Sequence, residues 1–188
     1  MSERFDAIPD TFPVLRGNGF LLREVEAIDA PAWFTRGSDP EVAYPGVDEL
    51  MTSLNDAVER VDSVRAAFRE KQKLRWAIVP DGQIEAVGTT GFNVFSANDL
   101  RAELGYGLAK DSWGKGLMTA ATEACIGYAF EVLGLNRIEA HVLDDNERSL
   151  RVLSKLGFRR EGLLREYEMV RGELRDFWVL GLLRSDRR

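Results

Sequence analysis

The hydrophobic pattern changes its period abruptly between residues 102 and 133, which restricts the folds open to this chain. Ala102 to Ala109 reads as a strand, whereas Gly116 to Leu133 repeats apolar residues at helical spacing. Only a short turn carrying Gly114 and Gly116 separates them. The start of a helix has unpaired backbone N–H groups and a partial positive charge, and glycine lets an anion approach them. The turn is therefore a candidate anion site, although many such turns bind nothing and it matches neither a Walker A loop nor a Rossmann fingerprint.

The rest of the chain reads as further strands and helices. The predicted strands are Gly19–Val25, Leu74–Val79, Ile84–Phe95, Arg137–Leu143 and those between Phe158 and Leu183. Three further helices are predicted. The first begins at Pro31 after an Asp29 cap, and the last runs from Asn146 to Leu156. The second runs from Asp48 to Lys73 and carries an apolar stripe of Leu50, Leu54, Val58, Val61, Val64 and Phe68. This order predicts one mixed α/β (α+β) domain over residues 1–188, with a mostly antiparallel sheet and flanking helices.

Composition excludes several classes of protein. The 188 residues carry 25 Lys and Arg against 31 Asp and Glu, and this net charge of −6 argues against binding DNA along its backbone. Residues 148–188 hold 11 basic and 6 acidic side chains, which is either a surface for an anionic ligand or ribosomal RNA or a chance excess of solvated arginines. No stretch is apolar enough to cross a membrane. A single cysteine and a single histidine exclude an internal disulfide and a Cys/His zinc site, so we expect no metal and a cytoplasmic location.

An ordered series of short motifs resembles a known family. The series is Trp113–Thr119, Asn146-x-x-Ser149, Lys155–Phe158, Glu161-Gly162 and Gly172-x-x-x-Asp176. Together they resemble the GNAT N-acetyltransferase superfamily, and more narrowly its bacterial RimJ/RimL-type branch of ribosomal-protein N-terminal acetyltransferases. The resemblance implies the GNAT fold, with strands 102–109 and 137–143 splayed apart. It also implies acetyl-CoA as donor, an amine as acceptor and the option of a homodimer.

The resemblance also implies where the donor binds. The implied cofactor residues are Gly107, Leu108 and Ala109 on the strand end, Trp113, Gly114, Lys115, Gly116, Leu117, Met118 and Thr119 in the turn and helix start, and Asn146 and Lys155. The chain departs from the family pattern twice, because Trp113 replaces a Gln or Arg and Met118 replaces a small residue. Lys115 adds a positive charge or is an ordinary solvated lysine. Asn146 holds the cofactor arm, caps its helix, or does both.

Acyl transfer to an amine needs a neutral amine and a proton for the departing thiolate. An α-amine has a reference pKa near 8, whereas a lysine at about 10.4 needs far more help from a base. Two glutamates match positions where relatives keep a base. Glu103 lies on the strand beside the cofactor, and Glu168 lies where the ribosomal-protein branch has its base. We favour Glu168, and either residue is alternatively an ordinary strand carboxylate.

The proton donor departs from the pattern of many relatives. Many relatives place a tyrosine seven residues after the asparagine, but Leu153 stands there. The ribosomal-protein branch uses a serine three residues after it, which is Ser149, in a relaying or hydrogen-bonding role. His141 is expected to be structural or on the surface, and Cys125 to be in the core.

The sequence thus predicts an acetyl-CoA-dependent N-acetyltransferase that acts on a primary amine, preferably a protein N-terminal α-amine, by direct attack in a ternary complex. The alternatives are an enzyme for a small amine (a polyamine, aminoglycoside or amino acid) and a non-catalytic acetyl-CoA-binding module.

Overall fold

A computed structural model describes residues 4–43 and 50–187, which form an eight-stranded sheet and flanking helices. The strands are β1 Leu15–Gly17, β2 Phe20–Glu24, β3 Leu74–Pro80, β4 Gly88–Ser96, β5 Arg101–Leu108, β6 Arg137–Leu143, β7 Arg159–Val170 and β8 Glu173–Leu183. The α-helices are α1 Ala30–Ser38, α2 Leu54–Arg69, α3 Leu117–Glu131 and α4 Glu147–Lys155.

The sheet is mixed and mostly antiparallel, as predicted. Its strands lie in the order β1-β2-β3-β4-β5-β6-β8-β7, and β5 with β6 is the parallel pair. The strand β6 has the predicted bounds, whereas β1 was missed because three residues are too few to show alternation. The strand β4 begins at Gly88 rather than at Ile84, which is exposed. That the whole chain is one domain stays a prediction.

The helix α2 begins later than the sequence predicted. Asp48 lies outside the described residues, and Leu50 lies before the helix rather than in it. The start is set by a capping box, in which Ser53 Oγ accepts from the Asp56 N–H and the Asp56 carboxylate accepts from the Ser53 N–H. This pair of local hydrogen bonds fixes the first turn at Leu54.

The buried face of α2 also differs from the predicted stripe. Leu54 and Val58 are exposed. The buried residues are Ala57, Val61, Val64, Ala67 and Phe68. Two of these are alanines, whose small side chains let the helix pack close to the sheet. A pattern built only from large apolar residues therefore placed the first half of the stripe on the wrong side.

The two faces of the sheet are covered by different helices. On β3, Leu74 and Trp76 pack in a core cluster with residues of α3 and α4, whereas Ala77 and Val79 pack with residues of α2. The helix α1 packs against α2 on that second face. Side chains alternate between faces along every strand, so each strand of the sheet can present residues to both sides.

The parallel strands β5 and β6 separate after a short paired segment. They pair at three positions, of which Glu103 opposite Glu139 is the last. Both strands continue, and residues 104–108 and 140–143 instead line a cavity of about 1450 Å³. The predicted splay between these strands is therefore confirmed.

The helix α1 is held in place by the carboxylate of Asp29, which is 2% exposed. Asp29 occupies the predicted N-cap position, but its side chain does not cap α1. It accepts from both terminal nitrogens of Arg23 at 2.8 Å, and from the backbone N–H groups of Glu26 and Ala86 at 2.9 Å. These bonds join α1 to β2 and to the chain entering β4, and so fix the helix beside the cavity.

Candidate functional site

The turn before α3 is open to a ligand. Gly114 and Gly116 have φ angles of 74° and 77°, in the left-handed region, and no atom lies within 4 Å of where a Cβ would stand on either. Gly116 is the N-cap residue of α3, and no side chain caps the helix there. The backbone bond from Ala120 N–H to Gly116 O closes the first turn, so the N–H groups of residues 117–119 have no helical acceptor. These N–H groups form the candidate anion site that the sequence predicted.

The predicted cofactor residues do not all border the cavity. Those that line it are Gly107, Leu108, Trp113, Gly114, Gly116, Leu117, Met118, Thr119, Asn146 and Lys155. Lys115 and Ala109 do not. The Ala109 N–H donates to Val87 O at 2.8 Å, and its carbonyl accepts from Ser112 N–H at 2.9 Å. The backbone of Ala109 is therefore already paired within the protein and is not available to a cofactor amide.

The structure explains why Trp113 stands where the family pattern has a Gln or Arg. Its indole N–H donates to the Leu108 carbonyl at 2.8 Å, which fastens the turn to the end of β5. The guanidinium of Arg148 lies 4.1 Å from the centre of the indole ring, a cation–π contact. Arg148 also lines the cavity, so α4 brings to this side a positive charge that the sequence did not single out.

The helix α4 starts at Asn146 and brings Ser149 to the cavity wall. Asn146 Oδ1 accepts from the Ser149 N–H at 3.2 Å, so the predicted cap is present. Ser149 Oγ lies 2.7 Å from the hydroxyl of Tyr106 on β5. Burial raises the pKa of Tyr106 well above its usual range, so the phenol stays protonated at neutral pH. Tyr106 is not among the residues that the sequence motifs singled out.

Both candidate bases line the cavity, and His141 does so as well. His141 Nδ1 lies 3.6 Å from Glu103 Oε2, and this contact raises the pKa of His141 above 6.5. The charge of Glu168 on β7 acts on His141 in the same direction. The structure therefore groups Glu103, His141 and Glu168 on the cavity wall, and that His141 is structural or on the surface stays a prediction.

Two negative findings concern the described residues. Across 4–43 and 50–187, no three His, Cys, Asp or Glu side chains cluster in a way that could hold a metal ion. In the same ranges, no helix combines the length and apolar character that a bilayer crossing requires.

Comparison with protein-family models identifies the family. The model described as an acetyltransferase (GNAT) domain matches residues 20–159. This chain belongs to the GNAT acetyltransferase family. It is an N-acetyltransferase of that family, and the fold and the splayed strands are those that the sequence motifs implied.

Relatives with assigned activities act on different amines. The chain is 34% identical over 128 residues to the [ribosomal protein uS5]-alanine N-acetyltransferase of Escherichia coli, covering 68% of this chain and 66% of that protein. It is 29% identical over 119 residues to the spermidine N(1)-acetyltransferase of Escherichia coli, covering 63% of each. Mycobacterium smegmatis RimJ in complex with CoA-disulfide superposes with a TM-score of 0.78 at 30% identity, covering 89% of this chain and 83% of that one.

Proposed function

We propose that this protein acetylates the N-terminal α-amine of a protein substrate, with acetyl-CoA as donor and by direct attack in a ternary complex. The observation that carries the proposal is the continuity of the cavity. It extends from the glycine turn at Gly116, through the gap between β5 and β6, to Glu103, His141 and Glu168 on the opposite face. The relationship to the uS5-alanine enzyme and to RimJ supports a ribosomal-protein-like acceptor.

The residues present suit acetyl-CoA. The N–H groups of residues 117–119, with Lys155 and Arg148 nearby on the cavity wall, would hold the phosphates. The edge of β5 at Gly107 and Leu108 would pair with the pantetheine amides as an added strand does. When bound, acetyl-CoA supplies a thioester whose carbonyl carbon forms the new C–N bond as the C–S bond breaks.

The carboxylates on the α1/α2 face would receive the proton that the amine loses. Glu168 remains the favoured base. Glu103 and His141, whose Oε2 and Nδ1 atoms lie 3.6 Å apart, form a second route for this proton. An α-amine needs only a modest base near neutral pH, because its reference pKa is near 8. Transfer of the proton from the amine to Glu168 through a water molecule would therefore suffice for an N-terminal acceptor.

Ser149 would deliver a proton towards the sulfur on the other side of the gap. A serine hydroxyl is a weak acid by itself, but the Tyr106 hydroxyl lies 2.7 Å from it and can replace the proton that Ser149 gives up. The backbone N–H of Leu108 would polarise the carbonyl. The general acid is then a two-residue relay, built without the tyrosine that other relatives carry at the position of Leu153.

The experiment is an acceptor screen with wild-type protein and two variants. Thiol release from acetyl-CoA is followed with N-terminal peptides and with small amines, and products are identified by mass. We expect acetylated peptide α-amines, and we expect Glu168→Gln and Ser149→Ala to lower kcat more than they weaken acetyl-CoA binding. Thiol release with small amines alone would favour the small-molecule alternative, and acetyl-CoA binding without any turnover would favour the binding module. The cytoplasmic location and the homodimer stay predictions.

A further inference from the structure

The strands β7 and β8 lose their regular pairing at a bulge beside the cavity. They pair at Leu164 with Phe177 and again at Glu168 with Arg175. Between these two pairs, β7 has three residues and β8 has one. Extra residues in one strand bend it and change the direction of its side chains. The residues of β7 that line the cavity, Tyr167 and Glu168, come from this irregular segment and its end.

The bulge turns two consecutive side chains to the same side. In a regular strand, neighbouring side chains point to opposite faces. Tyr167 and Glu168 nevertheless both line the cavity. The centre of the Tyr167 ring lies 5.7 Å from that of His141 and 5.8 Å from that of Phe177, and both of these residues line the cavity as well. Tyr167 is still 51% exposed, so much of its side chain remains open to a ligand.

The backbone of the bulge is held by Asp176, the β8 residue opposite it. Glu166, in the middle of the bulge, has a φ of 49°, in the left-handed region that residues with a Cβ seldom adopt. The Glu166 N–H donates to Asp176 Oδ1 at 2.7 Å. The carbonyl of Asp176 accepts from the Asp144 N–H at 3.1 Å, which ties Asp176 to the chain after β6. Asp176 ends the motif Gly172-x-x-x-Asp176, and this arrangement shows what its side chain does in the fold.

Asp176 acts on the cavity through the bulge. It is not among the described residues that line the cavity, whereas Tyr167 and Glu168 are. A hydrogen bond to a carboxylate is stronger than one to a neutral acceptor, and here it offsets an unfavourable backbone conformation. Without it, we expect β7 to relax towards regular pairing and to turn Tyr167 away from His141. One carboxylate on β8 thus controls two neighbouring cavity residues on β7.

Tyr167 and Glu168 suit two adjacent parts of one acceptor. Under the proposed function, Glu168 receives the proton that the amine loses. The ring of Tyr167 offers a large and rigid surface directly beside that carboxylate. A group on the carbon that carries the amine would lie against the ring while the amine faces Glu168.

We propose that Tyr167 binds the acceptor next to its amine, and that Asp176 is a positioning residue that holds Tyr167 and Glu168 in place through the bulge at Glu166. The proposal rests on the proposed function and adds to it one residue that binds the acceptor and one that acts from outside the cavity.

Kinetics separate acceptor binding from donor binding. The acceptor is the amine that the acceptor screen identifies, and the first one tried is a peptide with an N-terminal alanine. In Tyr167→Ala, the KM of the acceptor should rise about tenfold while kcat changes less than about threefold. In Asp176→Ala, the KM should rise as much and kcat should also fall, because Glu168 moves with the bulge. Calorimetry should give the wild-type affinity for acetyl-CoA in both variants.

Two further substitutions identify the property of the bulge that matters. Asp176→Asn keeps an oxygen that can accept from the Glu166 N–H, so KM and kcat should stay within about threefold of the wild-type values. Glu166→Val puts a β-branched residue in the left-handed region and should raise the acceptor KM as Asp176→Ala does. Leu100→Val is the matched control, because Leu100 also has a φ of 49°, is exposed and is not among the described residues of the cavity wall. It should lower the melting temperature similarly and leave the acceptor KM unchanged.

NMR tests the positioning without turnover. His141 is the only histidine in the chain, and its imidazole resonances sense the ring of Tyr167 beside it. Tyr167→Ala and Asp176→Ala should shift these resonances in the same direction, at a pH where the imidazole is neutral. Asp176→Asn and Leu100→Val should leave them at their wild-type positions.

The possible failures are distinguishable. A wild-type acceptor KM in Tyr167→Ala would overturn the binding role, and unmoved His141 resonances in Asp176→Ala would overturn the positioning role. Asp176→Asn as defective as Asp176→Ala would also contradict the hydrogen bond to Glu166 as the cause. If Asp176→Ala does not fold, Tyr167→Ala and Glu166→Val still decide. If no amine at all is acetylated, the proposed function fails and the acceptor role of Tyr167 falls with it, whereas the NMR comparison still decides whether Asp176 holds Tyr167 against His141.

Discussion

The hydroxyl of Tyr106 on β5 and Ser149 Oγ on α4 lie 2.7 Å apart, at the point where the strands β5 and β6 separate. Neither residue is near the other in sequence, and the contact depends on α4 packing against the face of the sheet that holds Tyr106. Because burial raises the pKa of Tyr106, the phenol stays protonated at neutral pH, and either hydroxyl can donate in this contact.

Removing the Tyr106 hydroxyl should slow the reaction without weakening acetyl-CoA binding. In Tyr106→Phe, Ser149 loses its partner, and we expect kcat to fall about tenfold, which corresponds to roughly 1.4 kcal/mol in the barrier. Ser149→Ala should have an equal or larger effect, and the double variant should be no worse than Ser149→Ala. Thiol release gives kcat and calorimetry gives acetyl-CoA affinity. Tyr128→Phe on α3 is the control, and additive losses in the double variant would contradict the relay.

The glycine turn provides a second test, with a control in the same helix. Gly116→Glu places a side chain on a residue with φ of 77° and puts a carboxylate where the phosphates would lie. Gly134→Glu imposes the same strain beyond the other end of α3, where φ is 71° and nothing lies within 4 Å of the Cβ position. Both should lower the melting temperature similarly, whereas only Gly116→Glu should abolish acetyl-CoA binding by calorimetry. Equal affinities in the two variants would show that the donor lies elsewhere.

The sequence predicted this turn because period, glycine and helix start coincide within a few residues. The hydrophobic periodicity of the sequence could not show the partners of Tyr106 or His141, because both contacts join elements that are far apart in the chain. Arg36 illustrates the limit most clearly. In sequence it is one more arginine on a short helix, and only the packing of α1 over Gly107 shows that its guanidinium is buried beside the cavity. The late start of α2 was readable from Ser53 and Asp56, but the apolar stripe before it was misleading.

His141 should titrate above its ordinary range because of Glu103. It is the only histidine in the chain, so a single imidazole resonance reports its pKa by NMR. The wild-type value should exceed 6.5, and Glu103→Gln should lower it. Glu131→Gln, an exposed residue at the end of α3, should leave it unchanged. A wild-type value at or below 6.5 would contradict the contact.

The same contact predicts how stability depends on pH. A pKa that is higher in the folded than in the unfolded state stabilises the fold below the unfolded value, and this contribution is lost as pH rises through the folded value. The free energy of unfolding should therefore fall more between pH 6 and pH 8 in the wild-type protein than in Glu103→Gln. Urea unfolding at the two pH values measures the difference. Identical pH dependence in the two proteins would show that the pair contributes nothing to folding.

The buried carboxylate of Asp29 should carry a large part of the stability around α1. Asp29→Asn keeps the shape but removes the charge that faces Arg23, whose side chain is 14% exposed, and leaves that guanidinium buried without a counter-ion. Breaking a buried pair in this way typically costs about 3 kcal/mol or more, and we expect that loss in the free energy of unfolding by urea. Asp6→Asn breaks an exposed pair with Arg4 and should change it by less than about 1 kcal/mol. A variant as stable as Asp6→Asn would mean that other contacts fix α1 beside the cavity.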